Sequence, residues 1–266
     1  MPLHHLELYH SSITVATLAQ LSSSGVGNVV PTLNNGYQVP NLNYLAAVYG
    51  VGTSLTRIQA QARSMLPFPY PDLVPTNRGS AFESPVRGAF MFQYPKPLKI
   101  TEEIDIFVTQ NSGGSETEYV GINFSDGPIT PVPFVGGFTV HCTASKTLTA
   151  GAWTTCQITP DTNLPASMYQ LVGLRSYSAT ALFTRVFPTS SNQQARPGCP
   201  AMQAYDQMDA PYARHGASGI WYTFPQNVLP QIEMFATSAD TAEEFWLDLI
   251  PSGPNMQMGA ILAGPA

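Results

Sequence analysis

Apolar and polar residues alternate with a period of two along much of this chain. At residues 56–63, Ile58, Ala60 and Ala62 share one face, and polar side chains occupy the other. Similar alternation recurs at residues 103–108, 138–143 and 244–249. Because successive side chains of a strand point to opposite faces, this pattern predicts half-buried β-strands.

Other short runs also predict strands, and turn residues separate them. The further runs lie at residues 6–9, 12–18, 44–51, 89–94, 118–124, 154–159, 168–174, 181–187, 220–224 and 232–236. Turn sequences such as Asn34-Asn35-Gly36 and Ser252-Gly253-Pro254 interrupt them. No segment has a clean helical period, so the chain is predicted to be all-β.

One segment, residues 126–137, divides the predicted strands into two sets of about seven. It carries three prolines and three glycines, which disfavour a central strand. Eight strands make one jelly roll. We therefore predict two jelly-roll β-sandwich domains in tandem, residues 1–129 and 130–266. The alternative is one large single β-sandwich with long loops.

The composition changes this picture through its shortage of charge. Only 11% of the 266 residues are charged, against about 25% in typical soluble proteins. The formal net charge is −6, and the 11 basic residues are scattered, with none before Arg57. Tight nucleic-acid binding requires clustered Lys and Arg, so it is not expected. A surface so poor in charge suits a protein that is covered by copies of itself.

Targeting segments and disulfides are not expected either. The N-terminus lacks the basic and apolar regions of a signal peptide, and no stretch of 18 apolar residues predicts a transmembrane helix. Cys142 and Cys156 flank a predicted turn at residues 148–152 and could face each other across a hairpin. The favoured interpretation of these two and Cys199 is free, buried thiols.

No motif in the chain predicts a catalytic, cofactor-binding or metal site. His4, His5 and His10 could bind a metal only if they converged, but a strand places His4 and His5 on opposite faces; surface or intersubunit hydrogen bonding is preferred. Gly50-Val51-Gly52 begins like a dinucleotide-binding loop but lacks the third glycine, which favours a bulge or a close approach of strands. The carboxylates at 205–209 and 243–248 are interpreted as solvated or interface loops.

Two further features are interpreted as contacts. The segment 188–219, which contains Arg196-Pro197-Gly198-Cys199-Pro200, is long for a loop within a compact domain and is predicted to be a contact or tower loop. Two groups of aromatic residues, at 68–94 and 221–224, are interpreted as core and subunit interface rather than a sugar-binding surface.

In composition, strand number and length, the chain resembles the jelly-roll major capsid proteins of icosahedral viruses. Its length and layout are most similar to the double-jelly-roll coats of lipid-containing phages. The resemblance implies a non-enzymatic virion protein, made in the host cytoplasm, that forms homotrimers and packs against neighbouring capsid subunits. Minor capsid proteins and an internal membrane are further candidate partners. The alternative function is a carbohydrate- or receptor-binding β-sandwich module, such as a virion spike.

Overall fold

The computed structural model of the chain describes residues 4–14, 17–23, 30–31, 37–38, 42–52, 54–65, 90–99, 102–111, 114–187, 195–203 and 215–252. Within these ranges the regular structure is β-strand, apart from one turn of 3₁₀ helix at Arg63–Met65. The same ranges contain no helix long and apolar enough to cross a membrane. The all-β prediction is therefore confirmed.

The strands are numbered in chain order. They are β1 (His4–Ile13), β2 (Ala19–Gln20), β3 (Ser22–Ser23), β4 (Val30–Pro31), β5 (Tyr37–Gln38), β6 (Tyr44–Val51), β7 (Leu55–Ala62), β8 (Phe90–Pro97), β9 (Glu103–Gln110), β10 (Glu116–Ser125), β11 (Phe138–Ala144), β12 (Trp153–Cys156), β13 (Thr159–Pro160), β14 (Met168–Tyr177), β15 (Ala181–Phe187), β16 (Gly198–Pro200), β17 (Tyr222–Pro225), β18 (Gln231–Ala236) and β19 (Glu243–Pro251).

The described strands pair into four antiparallel sheets. Sheet I has the order β3-β1-β10-β6-β8, and sheet II has β2-β9-β5-β4 with β7 also paired to β9. Sheet III has the order β13-β11-β19-β14-β17, and sheet IV has β12-β18-β15-β16. Sheets I and II thus come from residues before 126, and sheets III and IV from residues after 137. The intervening segment 126–137 contains no strand.

The sheets stack in the order II, I, IV, III. One apolar core lies between sheets I and II, with Val48, Val120 and Ile106 among its members. The other core fills the space between sheets III and IV, and it also includes Leu6 and Tyr49 from sheet I. Sheets I and IV are therefore central, and each is covered on both faces.

This stacking explains two different burial patterns along the strands. In the central sheets, β10 is buried at every position from Glu118 to Ser125, and β15 from Ala181 to Val186. In outer sheet II, β9 is buried at every second position, as in an ordinary half-exposed strand. Continuous burial therefore marks strands that have a sheet on both sides.

Most predicted strands are present, and β6 and β15 have the predicted bounds. The run predicted at 12–18 is wrong beyond Ile13, where β1 ends. Within the predicted contact or tower loop at 188–219, the described segment 195–203 is also not a surface excursion. It contains β16, which is buried and pairs with β15. The Leu6 backbone N–H donates to the Arg196 carbonyl oxygen at 2.8 Å, so this segment also lies against β1.

Gly198 lies in β16, the edge strand of sheet IV, where this strand is close to both β15 and Leu6 of sheet I. A Cβ atom there would be 2.5 Å from the Thr184 carbonyl oxygen and 2.8 Å from Leu6 Cδ2. Replacing Gly198 by alanine should therefore lower the free energy of unfolding by about 1–3 kcal/mol, as overpacking does. Urea denaturation would measure the loss.

The matched control is Gly127→Ala, since a Cβ at Gly127 has nothing within 4 Å. This variant should be as stable as the unmodified chain or slightly more so, because alanine restricts the unfolded state. Equal stabilities for the two variants would contradict the tight contact at Gly198.

Candidate functional site

The contact between the two central sheets contains a buried network of charged side chains. Arg185 of β15 is fully buried, and its Nε donates to Glu233 Oε2 of β18 at 2.6 Å. Arg196 Nη1 lies 3.0 and 2.9 Å from the two carboxylate oxygens of Glu233. Arg185 Nη1 also donates to the Leu6 carbonyl oxygen of sheet I at 3.4 Å. The network therefore joins sheet IV to sheet I.

Aromatic rings cover the two guanidinium groups. The Arg185 guanidinium carbon lies 3.9 Å from the centroid of the Trp153 ring, and that of Arg196 lies 4.4 Å from the Phe187 ring. A cation over an aromatic face gains more when water is excluded. Burial lowers the pKa of Arg185, and the negative charges of Glu233 and Glu7 oppose this shift.

His5 extends the network along β1. Its Nδ1 accepts a hydrogen bond from the Arg196 backbone N–H at 3.0 Å, so the ring hydrogen lies on Nε2 in the neutral form. Nε2 is 3.4 Å from Glu7 Oε2, to which it donates. Burial lowers the pKa of His5. The arrangement therefore favours a neutral imidazole that holds residue 196 against β1.

The prediction that the N-terminal histidines form surface or intersubunit hydrogen bonds is wrong for His4 and His5. Only 4% of His4 and 1% of His5 is exposed, because sheet I is covered on both faces. Burial lowers the pKa of His4 to about 4. The His10 ring stacks on Tyr119 and lies tilted against Phe235, at centroid distances of 5.7 and 5.4 Å. Within the described ranges, no three histidine, cysteine or carboxylate side chains could hold a metal together.

A second polar cluster lies on the outer face of sheet III. His141 Nδ1 is 2.5 Å from Asp161 Oδ2, and His141 Nε2 is 3.2 Å from Glu244 Oε2. The hydrogen bond to Asp161 is the main cause of the raised pKa of His141, and Glu244 adds to it. The Trp246 ring is partly exposed beside them, 5.0 Å from the His141 ring.

The carboxylates at 243–248 are part of strand β19, so the loop interpretation of this segment is wrong. Asp248 is fully buried and accepts hydrogen bonds from Arg175 Nη2 at 3.0 Å and from Thr139 Oγ1 at 2.6 Å. The His215 backbone N–H donates to its other oxygen at 2.8 Å. These bonds fasten the loop around His215 to sheet III. The carboxylates at 205–209 lie outside the described residues.

Three other sequence interpretations agree with the structure. The cysteines Cys142, Cys156 and Cys199 are free and buried. Cys142 lies in sheet III and Cys156 in sheet IV, so they do not face each other across a hairpin, and burial raises the pKa of each to about 12. Trp221, Tyr222 and Phe224 belong to the core.

Gly50 and Gly52 allow the close approach that was predicted for them. A Cβ at Gly50 would lie 2.4 Å from Ile58 Cδ1, and a Cβ at Gly52 would coincide with the carboxyl group of Glu118. The aromatic residues at 68–89 lie outside the described residues.

Comparisons with known proteins find little that resembles this chain. No protein-family model matches it, and no curated protein does. Among solved structures, the major capsid protein P2 from Bacteriophage PM2 aligns over 95% of this chain and 99% of its own length. The sequence identity is 11% and the TM-score is 0.23. The match is weak, and the inferences below rest on the geometry of the chain itself.

Removing the charge of Glu233 should destabilise the contact between the central sheets. Glu233→Gln would leave Arg185 and Arg196 without their carboxylate, and breaking a buried ion pair costs about 3–5 kcal/mol. Urea denaturation of this variant would measure the change. The control is Glu244→Gln, whose half-exposed carboxylate should contribute about 1 kcal/mol or less. Similar losses in both variants would contradict a special role for the buried network.

The His141 cluster should make stability depend on pH. The folded-state pKa of His141 lies above its ordinary value of 6.5. The stability that His141 contributes is therefore complete below pH 6.5, and it is lost as the pH rises through the folded-state pKa. Asp161→Asn should lower the pKa of His141, measured by NMR titration of the ring protons. The control is Asp240→Asn, because the Asp240 carboxylate binds Ser178 and Ala179 instead. An unchanged pKa in Asp161→Asn would refute the assignment.

Proposed function

We propose that this chain is a viral structural protein, a non-enzymatic major capsid protein that assembles as trimers into an icosahedral shell. The observation that carries the proposal is a strand order that is complete in the second half and largely repeated in the first. In the second half, strands 1 to 8 are β11, β12, β14, β15, β16, β17, β18 and β19, with the two-residue β13 omitted. In this numbering, sheet III has the order 1-8-3-6 and sheet IV has the order 2-7-4-5.

The described strands of the first half follow most of this order. When the two-residue β3, β4 and β5 are omitted, sheet I contains 1-8-3-6 as β1-β10-β6-β8, and in sheet II strand 7 (β9) pairs with strands 2 (β2) and 4 (β7). Strand 5 of this half is not among the described residues. A long antiparallel hairpin that rolls up pairs its first strand with its last, its second strand with its seventh and its third strand with its sixth. That pattern defines a jelly roll, the fold of many viral coats. It supports two jelly rolls, divided near residue 129.

Jelly rolls also serve lectins and cupins, so the surface must distinguish among these functions. The chain has 11 basic and 17 acidic residues. Among the residues that the structure describes, seven of these charged side chains are buried: Glu7, Glu118, Arg175, Arg185, Glu233, Glu243 and Asp248. The outer faces therefore carry even less charge than the composition suggests. Such faces can be covered by other copies at a low desolvation cost, as a virion shell requires.

A second candidate function, sugar or receptor binding by a spike-like module, is favoured by one observation. Trp246 is partly exposed on the outer face of sheet III beside His141, and exposed aromatic rings can stack on ligands. In this case the protein would remain a small oligomer and bind a glycan through this face.

The decisive experiment is the mass of the purified native assembly, measured by light scattering with negative-stain microscopy. We expect trimers of the 28.7 kDa chain or closed shells. Val228, 42% exposed and next to Pro225, provides a contact variant. Val228→Asp should shift trimers towards monomers if this exposed apolar side chain is buried between copies, because a buried unpaired carboxylate is costly.

Asn227→Asp is the matched control, since it adds the same charge at the neighbouring exposed position. A monomeric protein that binds a glycan, with binding lost in Trp246→Ala, would overturn the capsid proposal in favour of the second candidate. A monomer without glycan binding would overturn both.

A further inference from the structure

Two histidines of β1 lie where the first sandwich contacts the second. His4 and His5 are 4% and 1% exposed. They precede Leu6, whose backbone N–H donates to the Arg196 carbonyl oxygen at 2.8 Å. The Leu6 carbonyl oxygen accepts a hydrogen bond from Arg185 Nη1 at 3.4 Å. The ionisation of these two histidines therefore affects a segment of β1 that the second sandwich binds on both sides of the peptide group.

His5 can make its present contact only as a neutral imidazole. Its Nδ1 accepts the hydrogen bond from the Arg196 backbone N–H at 3.0 Å. A protonated imidazole carries a hydrogen on both ring nitrogens and can accept at neither. Protonation would therefore place two donors against each other, and the Arg196 N–H would lose its acceptor.

The charges around His5 come from three strands and from the segment before β16. Burial is the largest influence, and together with the positive charges of Arg185 and Arg196 it lowers the pKa of His5. Glu7 Oε2, 3.4 Å from His5 Nε2, acts in the opposite direction. Glu233 is hydrogen-bonded to both guanidinium groups. A proton on His5 would thus add a third positive charge beside two guanidinium groups that already share one carboxylate.

His4 provides a second, independent observation. Neither of its ring nitrogens has a hydrogen-bond partner among the described residues. A Cβ on Gly219 would be 3.8 Å from His4 Nε2, so the ring lies against the loop at 215–219 of the second sandwich. Burial lowers the pKa of His4 to about 4, and the Asp126 charge opposes this shift. An imidazolium buried here without an acceptor would be costly.

The loop against His4 is also bonded to the segment 126–137 that connects the two sandwiches. The Gly216 carbonyl oxygen accepts a hydrogen bond from the Val132 N–H at 2.9 Å. The titratable side chain of this loop, His215, stacks on Phe134 of the connecting segment at a centroid distance of 4.6 Å. Displacing the loop from His4 would therefore disturb the connection between the sandwiches.

We propose that His4 and His5 make the contact between the two sandwiches acid-sensitive, because each ring must be neutral for the second sandwich to lie against β1. A proton on His5 would release the segment that carries Arg196, and a proton on His4 would release the loop around Gly219. Both groups lie within one chain, so the inference does not depend on the proposed function.

The direction of the pH dependence follows from where the protons bind. In the unfolded chain each histidine takes up a proton at about pH 6.5, whereas in the folded chain it does so only at lower pH. The stabilising effect of the neutral rings is therefore complete well above pH 6.5, and it is lost as the pH falls from there towards the folded-state pKa values. At about pH 5.5 the folding equilibrium constant should be reduced by up to about tenfold for each histidine.

Urea denaturation at one protein concentration, at about pH 7.5 and about pH 5.5, tests the proposal in a double variant, His4→Leu with His5→Asn. Leucine removes the two unpartnered nitrogens of His4, and asparagine keeps an acceptor for the Arg196 N–H but does not titrate. Relative to the unmodified chain, the double variant should gain up to about a hundredfold in folding equilibrium constant on going from the higher to the lower pH. His141→Asn is the control. It should lose stability at the lower pH instead, because Asp161 and Glu244 favour the protonated form of His141.

Hydrogen exchange of the unmodified chain tests the location of the effect and requires no variant to fold. After correction for the intrinsic rates, the Leu6 and Arg196 amides should lose protection at the lower pH, while the amides between β7 and β9 of sheet II keep theirs. The proposal is wrong if the double variant shows the same acid dependence of stability as the unmodified chain. It is also wrong if the Leu6 and Arg196 amides are equally protected at both pH values. Neither reading depends on whether the chain forms trimers or shells.

Discussion

The fold depends on burying both faces of sheets I and IV against each other and against their outer partners. Apolar contacts provide most of this interface: Tyr49 packs near Phe183 and Tyr119 near Phe235, with ring centroids 6.5 and 5.8 Å apart. The guanidinium group of Arg185 is the exception, because it places a full charge in the middle of this interface. A buried charge is tolerated only when it is paired. The pairing with Glu233 is therefore a condition for the apolar contact around it.

The same constraint accounts for the path of the chain after β15. Residues 195–200 connect β1 of sheet I to the edge of sheet IV, and Arg196 provides the second guanidinium group on Glu233. Its backbone also satisfies polar groups of β1, through the Leu6 N–H and His5 Nδ1. Only glycine fits at position 198, beside the Thr184 carbonyl group. One short segment thus links the two sandwiches through its backbone and its charge.

Much of the strand content could be predicted from the sequence, because alternation is a local property. Strand β9 shows this well: Ile104, Ile106 and Val108 alternate with more exposed residues and are buried. The stacking of the sheets could not be predicted, because continuous apolar runs such as β6 fit several arrangements. The sequence offers one indication of this stacking. Arg185 lies within the run Ala181–Phe187, and a lone arginine in a buried strand requires a partner. The hydrogen bonds from Ser54 to Gln110 and Glu118 could not be predicted either, because only pairing between distant strands brings these residues together.

The location of the charges connects the architecture to the proposed assembly. Charged side chains normally stay at the surface, yet this chain buries Arg185 and Glu233 between its central sheets and Asp248 beneath a loop of its outer sheet. Inside the chain these charges have fixed partners. If they lay at an interface between copies, the neighbouring copy would have to supply those partners. The surface is left with fewer ions, and hydroxyl and amide groups lose less solvation free energy on contact than ions do. A chain organised in this way can cover large faces with further copies, provided that the internal pairs hold each copy rigid.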